Sequence, residues 1–465
     1  MKNVKNNIYM LKKMSKNTFF LTYSKKQSTI ITEVIPLERR IYEELLQWKN
    51  DKSLTKMPLL LYGARQIGKT YIIEEFGKNE YKNMVYLNFE KDVTLDVLFQ
   101  DNISPDVLLP KIEQYFNTKI TIGETLLFFD EIQASNRALT ALKYFCEENP
   151  NIDIIAAGSL LGVHLEAEKF SFPVGKVYTK TMYPLNFEEF LLASDKKIFA
   201  QAIREAFENN TPLPNELHNS LMELYKTYMI VGGMPFVTQN YLDNPGVDIK
   251  QLQELILNTY TSDMNKYADK SQSVKNVSTY NSILPQLAKE NKKFQYKLIA
   301  KGARASLFGD SIDWLVRAGV AIIVNKINAG DGPLEMVKDL SSFKLYMNDI
   351  GLCSCKAGIT WNNYDIYNPI YLGGIIENYV ATNLLANNYE LYYWASEGEA
   401  EVDFVINKEG LNIPIEVKKS ANTKSRSLEI YMKKYKPQYA IRISARNFGF
   451  ENNVKSVPLY AVYLI

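Results

Sequence analysis

Several residue types are too scarce in this sequence for common enzyme chemistries. The three cysteines, Cys146, Cys353 and Cys355, make no disulfide framework, and Cys353-x-Cys355 lacks the second pair that a zinc site needs. This usage fits a reducing cytoplasm. Histidine is scarcer still. His164 and His218 alone disfavour histidine-rich metal centres and Ser-His-Asp hydrolysis. No apolar run reaches the roughly 18–20 residues needed to span a bilayer, so no membrane partner is expected. Net charge is only +2, from 54 basic and 52 acidic residues. No global basic field therefore argues for nucleic acid, and any such surface must be local. No Asn-Lys-x-Asp stretch is present, which disfavours a GTPase.

The remaining composition is that of a globular protein, 46% hydrophobic and 23% charged, and 465 residues suggest two to four domains. Residues 1–30 carry seven lysines and no acidic residue. Their apolar stretch, Phe19-Phe20-Leu21, is too short for a signal peptide. A basic, disordered tail over 1–34 is expected, with Met10 and Met14 as alternative starts.

An apolar run, Leu59-Leu60-Leu61-Tyr62, leads into Gly63-Ala64-Arg65-Gln66-Ile67-Gly68-Lys69-Thr70, and apolar-periodic Tyr71, Ile72, Ile73 and Phe76 follow. Strand, Gly-x-x-x-x-Gly-Lys-Thr and helix, in that order, predict a phosphate-binding loop. Its N–H groups would cradle phosphate, Lys69 would reach the β- and γ-phosphates, and Thr70 would hold Mg²⁺. Downstream, Leu126-Leu127-Phe128-Phe129 closes in Asp130 and Glu131, the pattern of a buried parallel strand whose end faces the ligand. Asp130 would hold Mg²⁺ through water, and Glu131 would orient the attacking water. A further strand, 152–157, ends in Gly158-Ser159. Ser159 is either a sensor of the γ-phosphate or the N-cap of a helix beginning at Leu160.

From 185 to 245 the pattern is helical, broken at Gly232-Gly233-Met234-Pro235. Helices continue to about 318 and are followed by the strand-like Val320-Ala321-Ile322-Ile323-Val324, as in a winged helix-turn-helix. Lys292, Lys293, Lys297, Lys301 and Arg304 would suit a DNA backbone, or form a plain solvated face. Near the C-terminus, Glu401-Val402-Asp403-Phe404-Val405-Ile406 and Leu411 to Lys418 read as an antiparallel hairpin. Alternation puts Asp403, Glu416 and Lys418 on one face, and a helical Glu377 adds a third carboxylate. Carboxylates would hold Mg²⁺, while Lys418 would position water or neutralise charge on phosphate. The alternative is a cross-strand ion pair. Pro414 is awkward in a central strand.

Asp-x₁₂-Glu-x-Lys resembles the PD-(D/E)xK restriction-endonuclease-like superfamily. Taken together, residues 35–450 resemble prokaryotic AAA-type ATPases that carry a C-terminal domain of unknown function. The marks are the loop at 63–70, Phe-Asp-Glu-Ile-Gln at 129–133, Ala-Gly-Ser at 157–159 and Tyr-Pro-Leu-Asn-Phe-Glu-Glu-Phe at 183–190. Further marks are Gly-Gly-Met-Pro at 232–235, Phe-Lys-Leu-Tyr-Met-Asn-Asp-Ile-Gly-Leu at 343–352, Glu-Val-Asp-Phe at 401–404 and Ile-Glu-Val-Lys at 415–418. The resemblance implies an α/β chain, with an AAA-like P-loop core over 35–180 and a helical lid over 181–248. A winged-helix-like domain over 249–345 and a nuclease-like domain over 346–465 complete it. ATP and Mg²⁺ are the implied cofactors, DNA is a candidate partner, and a homo-oligomer is one open assembly. Gly175-Lys176 stands where similar sequences have Gly-Arg, so a trans-acting arginine falls to Arg65 or Arg137. The rival readings are a nucleotide-controlled scaffold whose C-terminal domain binds DNA or protein, and a small-molecule kinase.

Overall fold

The computed structural model describes residues 37–51, 56–159, 173–266, 268–366, 369–398, 400–418 and 426–465. The expected tail, and the helix that Ser159 would cap, lie outside these residues.

The apolar runs form two sheets. In the first, β1 (Leu59–Tyr62), β2 (Asn83–Asn88), β3 (Thr125–Asp130), β4 (Asp153–Ala157) and β5 (Tyr178–Thr181) are parallel, in the order β2-β3-β4-β1-β5. β1, β3 and β4 are buried at every position, as strands covered on both faces must be. One face packs Leu60, Leu127, Phe129 and Ile154 against the helices Pro105–Phe116 and Asn136–Glu148. Leu59, Leu61, Phe128 and Ile155, on the other face, join a core that continues through the helices of 187–317 into the second sheet.

The second sheet has eight strands. These are β6 (Ala321–Ile327), β7 (Lys338–Met347), β8 (Tyr392–Ala395), β9 (Glu401–Lys408), β10 (Leu411–Val417), β11 (Ala440–Ser444), β12 (Gly449–Glu451) and β13 (Val454–Pro458). Their order is β12-β13-β11-β10-β9-β8-β6-β7. The strand-like segment after 318 is thus β6. It pairs antiparallel with β7, as a wing hairpin would, and also parallel with β8. The expected boundary between 345 and 346 falls inside β7, and the sheet runs across it.

Pro414 sits in register opposite Val405 of β9. β11 pairs with β10 only over Ile415, Glu416 and Val417. The missing N–H of Pro414 therefore falls where that side of β10 has no ladder, which is where proline is tolerated.

Candidate functional site

The loop between β1 and the helix Lys69–Glu80 turns through Gly63 (φ 150°), Gln66 (φ 65°) and Gly68 (φ 87°). At Gly63 a Cβ would lie 2.2 Å from Ile67 Cδ1 and 2.5 Å from the Met182 carbonyl oxygen, so the tight curl requires glycine there. Lys69 Nζ donates to the carbonyl oxygens of Gly63 (3.0 Å) and Ala64 (2.9 Å). Burial lowers its pKa to about 8, against the pull of Glu131 and Asp130. Its direct partners are neutral oxygens, so the ammonium gains from an arriving anion.

Asp130 ends β3 and is buried. Its Oδ2 accepts from Thr70 Oγ1 (3.0 Å), Tyr86 OH (2.8 Å) and Asn88 Nδ2 (3.2 Å), and its Oδ1 from the Glu131 N–H (3.0 Å). The parallel register that sets Asn88 opposite Asp130 delivers these partners. Glu131 turns out of the strand in the left-handed region (φ 49°) and accepts from the Gln133 side-chain amide. Ser159 is buried two residues beyond β4. Thr70 and Asp130, bonded to each other and to neutral donors, present the hydroxyl and carboxylate oxygens that a Mg²⁺ beside a nucleotide would need.

Two supports were not read from the sequence. Arg39, buried before the helix Arg40–Asn50, donates to the Ile67 carbonyl (3.1 Å), the Tyr183 carbonyl (2.6 Å) and Glu189 Oε1 (3.1 Å). Glu189 belongs to the capping box with Asn186 that opens the helix Phe187–Ala193. Part of the 183–190 motif therefore holds the phosphate loop from beneath. The outer side of the loop rests on the helix Ile249–Lys266. There Arg65 Nη1 donates to Asp263 Oδ1 (2.9 Å), Gln66 Nε2 to Thr259 Oγ1 (3.4 Å), and Tyr260 OH to the Arg65 carbonyl (3.5 Å). The chemistry of Arg39 and Glu189 was visible in the sequence, but their partnership spans 150 residues.

The three candidates for a trans-acting cation all make contacts within this chain. Arg65 pairs with Asp263, Lys176 pairs with Glu147 at 3.1 Å, and Arg137 donates to the Phe99 and Asp101 carbonyls.

The C-terminal carboxylates sit in a different environment. Glu416 is buried on β10, and its Oε1 lies 2.6 Å from Lys418 Nζ. Asp403 Oδ2 accepts from the Val417 N–H (2.8 Å). Burial, with Glu377 and Glu416 nearby, pushes Asp403 well above the carboxylate range. Glu377, buried on the helix Pro369–Ala386, takes Lys292 Nζ on Oε1 (2.8 Å) and Tyr346 OH on Oε2 (3.1 Å); Lys344 Nζ lies 3.7 Å from that Oε2. Burial would raise the Glu377 pKa, but Lys344 and Lys292 bring it below the ordinary value. Lys344, fully buried on β7, also reaches Glu401 Oε1 at 2.6 Å. Sequence reasoning missed Lys344 and Tyr346, and it offered Lys292 to a DNA backbone or to a solvated face. Lys292 is 13% exposed, whereas Lys293, Lys297, Lys301 and Arg304 remain exposed. Among the described residues, no group of three or more His, Cys, Asp or Glu side chains is arranged to hold a metal ion.

The parallel order β2-β3-β4-β1-β5, the glycine-bounded loop and the Thr70–Asp130 contact define a P-loop domain. Residues 55–191 match the AAA domain, residues 222–363 a domain of unknown function (DUF8612), and residues 372–462 another (DUF4143). No curated protein matches the chain. Among solved structures it is similar to a Walker-type ATPase of Pyrococcus abyssi, at 16% identity and TM-score 0.40, over 69% of this chain and 96% of that one. The ORC2 protein of Aeropyrum pernix, solved in ADPNP–ADP complexes, aligns at 10% identity and TM-score 0.31, over 70% and 94%. The RuvB Holliday junction branch migration motor of Thermotoga maritima aligns at 14% and 0.27, over 62% and 89%. No helix among the described residues is long and apolar enough to cross a membrane.

Proposed function

We propose that this protein binds ATP with Mg²⁺ at residues 63–70 and hydrolyses it, and that hydrolysis acts on a nuclease-like C-terminal domain that binds DNA. The Thr70–Asp130 contact beside Lys69 is the observation that carries the first half. Mg²⁺, when bound, neutralises charge on the β- and γ-phosphates. The loop N–H groups of 63–70 orient the triphosphate, and the Lys69 ammonium stabilises charge at its end. Glu131 positions the attacking water and draws its proton, while Ser159 senses the γ-phosphate.

The route outward starts at the Arg65 carbonyl, which accepts from Tyr260 OH, and Asn348 Nδ2 donates to that same hydroxyl (3.3 Å). Asn348 follows directly on β7, which carries Tyr346 and Lys344 into the C-terminal cluster. Lys293, Lys297, Lys301 and Arg304 are the local basic surface proposed for a DNA backbone on a winged-helix-like segment. We place the protein in the cytoplasm.

A second reading is favoured by the lysines around Glu377. In it the C-terminal domain binds without cutting. Two assays separate these claims. ATP hydrolysis by wild type should fall to background in Lys69→Ala and in Glu131→Gln; equal rates in all three proteins would refute the ATPase reading. Circular and linear DNA incubated with Mg²⁺ or Mn²⁺, with and without ATP, should stay equally intact with wild type and Asp403→Ala. Cleavage by wild type alone would make the domain a nuclease, with Asp403, Glu416 and Glu377 as metal ligands and Lys418 as the catalytic lysine.

A further inference from the structure

Four carboxylates of the C-terminal domain, Glu377, Glu401, Asp403 and Glu416, meet three ammonium groups, from Lys292, Lys344 and Lys418. Each oxygen of Glu377 has a donor, Glu401 has Lys344, and Glu416 Oε1 has Lys418. One oxygen stands apart. Among the described residues, Glu416 Oε2 is buried without a hydrogen-bond partner, on a residue only 3% exposed. A carboxylate oxygen left so is costly and calls for a cation or a donor.

The lysines differ in how they are held. Lys344 is 0% exposed in the middle of β7, and its ammonium lies 4.8 Å from the Tyr393 ring centre. It is part of the core. Lys292 comes instead from the loop after the helix Lys270–Leu287, within the segment matched at 222–363, whereas the four carboxylates lie within 372–462. One segment thus supplies a charge to a cluster in another. With Asp403 held protonated, the other three carboxylates balance the three ammoniums; without Lys292 they exceed them by one, and by two, the charge of one dication, once a cation displaces the Asp403 proton.

We propose that Lys292 plugs the C-terminal carboxylate cluster, balancing its charge without metal while the plug is in, and that withdrawing Lys292 opens a divalent-cation site on Glu377, Asp403 and Glu416. This rests on reading the domain as a nuclease-like module that binds rather than cuts. It adds the means of control, a lysine supplied to the cluster from the middle segment.

The test is a Mn²⁺ titration of the full chain, free of nucleotide and DNA, in which the electron paramagnetic resonance signal reports free Mn²⁺. Wild type should show no site sensitive to Glu416→Gln. Lys292→Met should gain one Mn²⁺ per chain, at least about tenfold tighter than any wild-type binding, and lose it when Glu416→Gln is added. A wild-type site abolished by Glu416→Gln, or no gain in a folded Lys292→Met, overturns the proposal. Should Lys292→Met fail to fold, the wild-type titration decides alone: a Glu416-dependent site refutes the plug, and none supports it. DNA is absent, so the result reads the plug independently of whether the domain binds or cleaves DNA.

Discussion

Both candidate sites bring lysines and carboxylates together, yet their charges are used in opposite ways. At the phosphate loop Lys69 donates to backbone carbonyls, and Asp130 is held by a hydroxyl, a phenol, an amide and an N–H. Neutral partners fix these groups in place without satisfying their charge. In the C-terminal cluster Lys292, Lys344 and Lys418 each meet a carboxylate directly. The difference teaches where a charged ligand gains most. A charge held by neutral groups gains by meeting an opposite charge, whereas a paired one must first lose a partner.

The largest expected effect tests the paired side. Lys344→Ala would leave Glu377 and Glu401 short of a buried counter-charge and should destabilise the protein by about 3–5 kcal/mol in urea unfolding. Lys69→Met, which removes a buried charge from neutral partners, should leave unfolding stability unchanged or raise it. Equal losses in the two variants would erase the contrast. Next is chemistry: Glu131→Gln should lower the turnover of ATP by about 10²–10⁴-fold while ATP still binds.

The pH dependence is smaller and its sign is determined. The Lys69 pKa of about 8 in the free protein means that the ammonium is present below pH 8 and lost above it, whereas bound phosphate favours it. ATP affinity should therefore be flat below pH 8 and fall above it, by up to about tenfold per unit. Calorimetry showing affinity that rises with pH would contradict this. Smallest is Arg65→Ala. Its pair with Asp263 is part-exposed, at 25% and 15%, so stability should change by less than about 1 kcal/mol. Any larger effect should appear in how ATP alters DNA binding, read by a mobility shift.

The phosphate loop was legible because its information is local. A strand, a fixed spacing and a helix lie within about 20 residues, and Asp130 and Glu131 follow an unbroken apolar strand. The donors that hold Asp130 were not legible, since Tyr86 and Asn88 reach it only through the register of β2 on β3. The clamp of Arg39 on Glu189 depends on a contact across 150 residues. In the C-terminal region, alternation along β9 and β10 drew attention to Asp403, Glu416 and Lys418. Nothing local marks Lys344 on β7 as a core residue, because a lysine between Phe343 and Leu345 reads as the polar position of a strand. Lys292, next to Lys293, reads as surface charge. The unbroken second sheet was hidden for the same reason. β6 meets β8 in parallel, and the chain between them runs through β7 and the helix Pro369–Ala386.

The most direct measurement of the central claim is the equilibrium binding of ATP with Mg²⁺ to wild type and Lys69→Ala by calorimetry. The account predicts one ATP per chain for wild type and none measurable for Lys69→Ala under the same conditions. Binding to Lys69→Ala with wild-type affinity would contradict it.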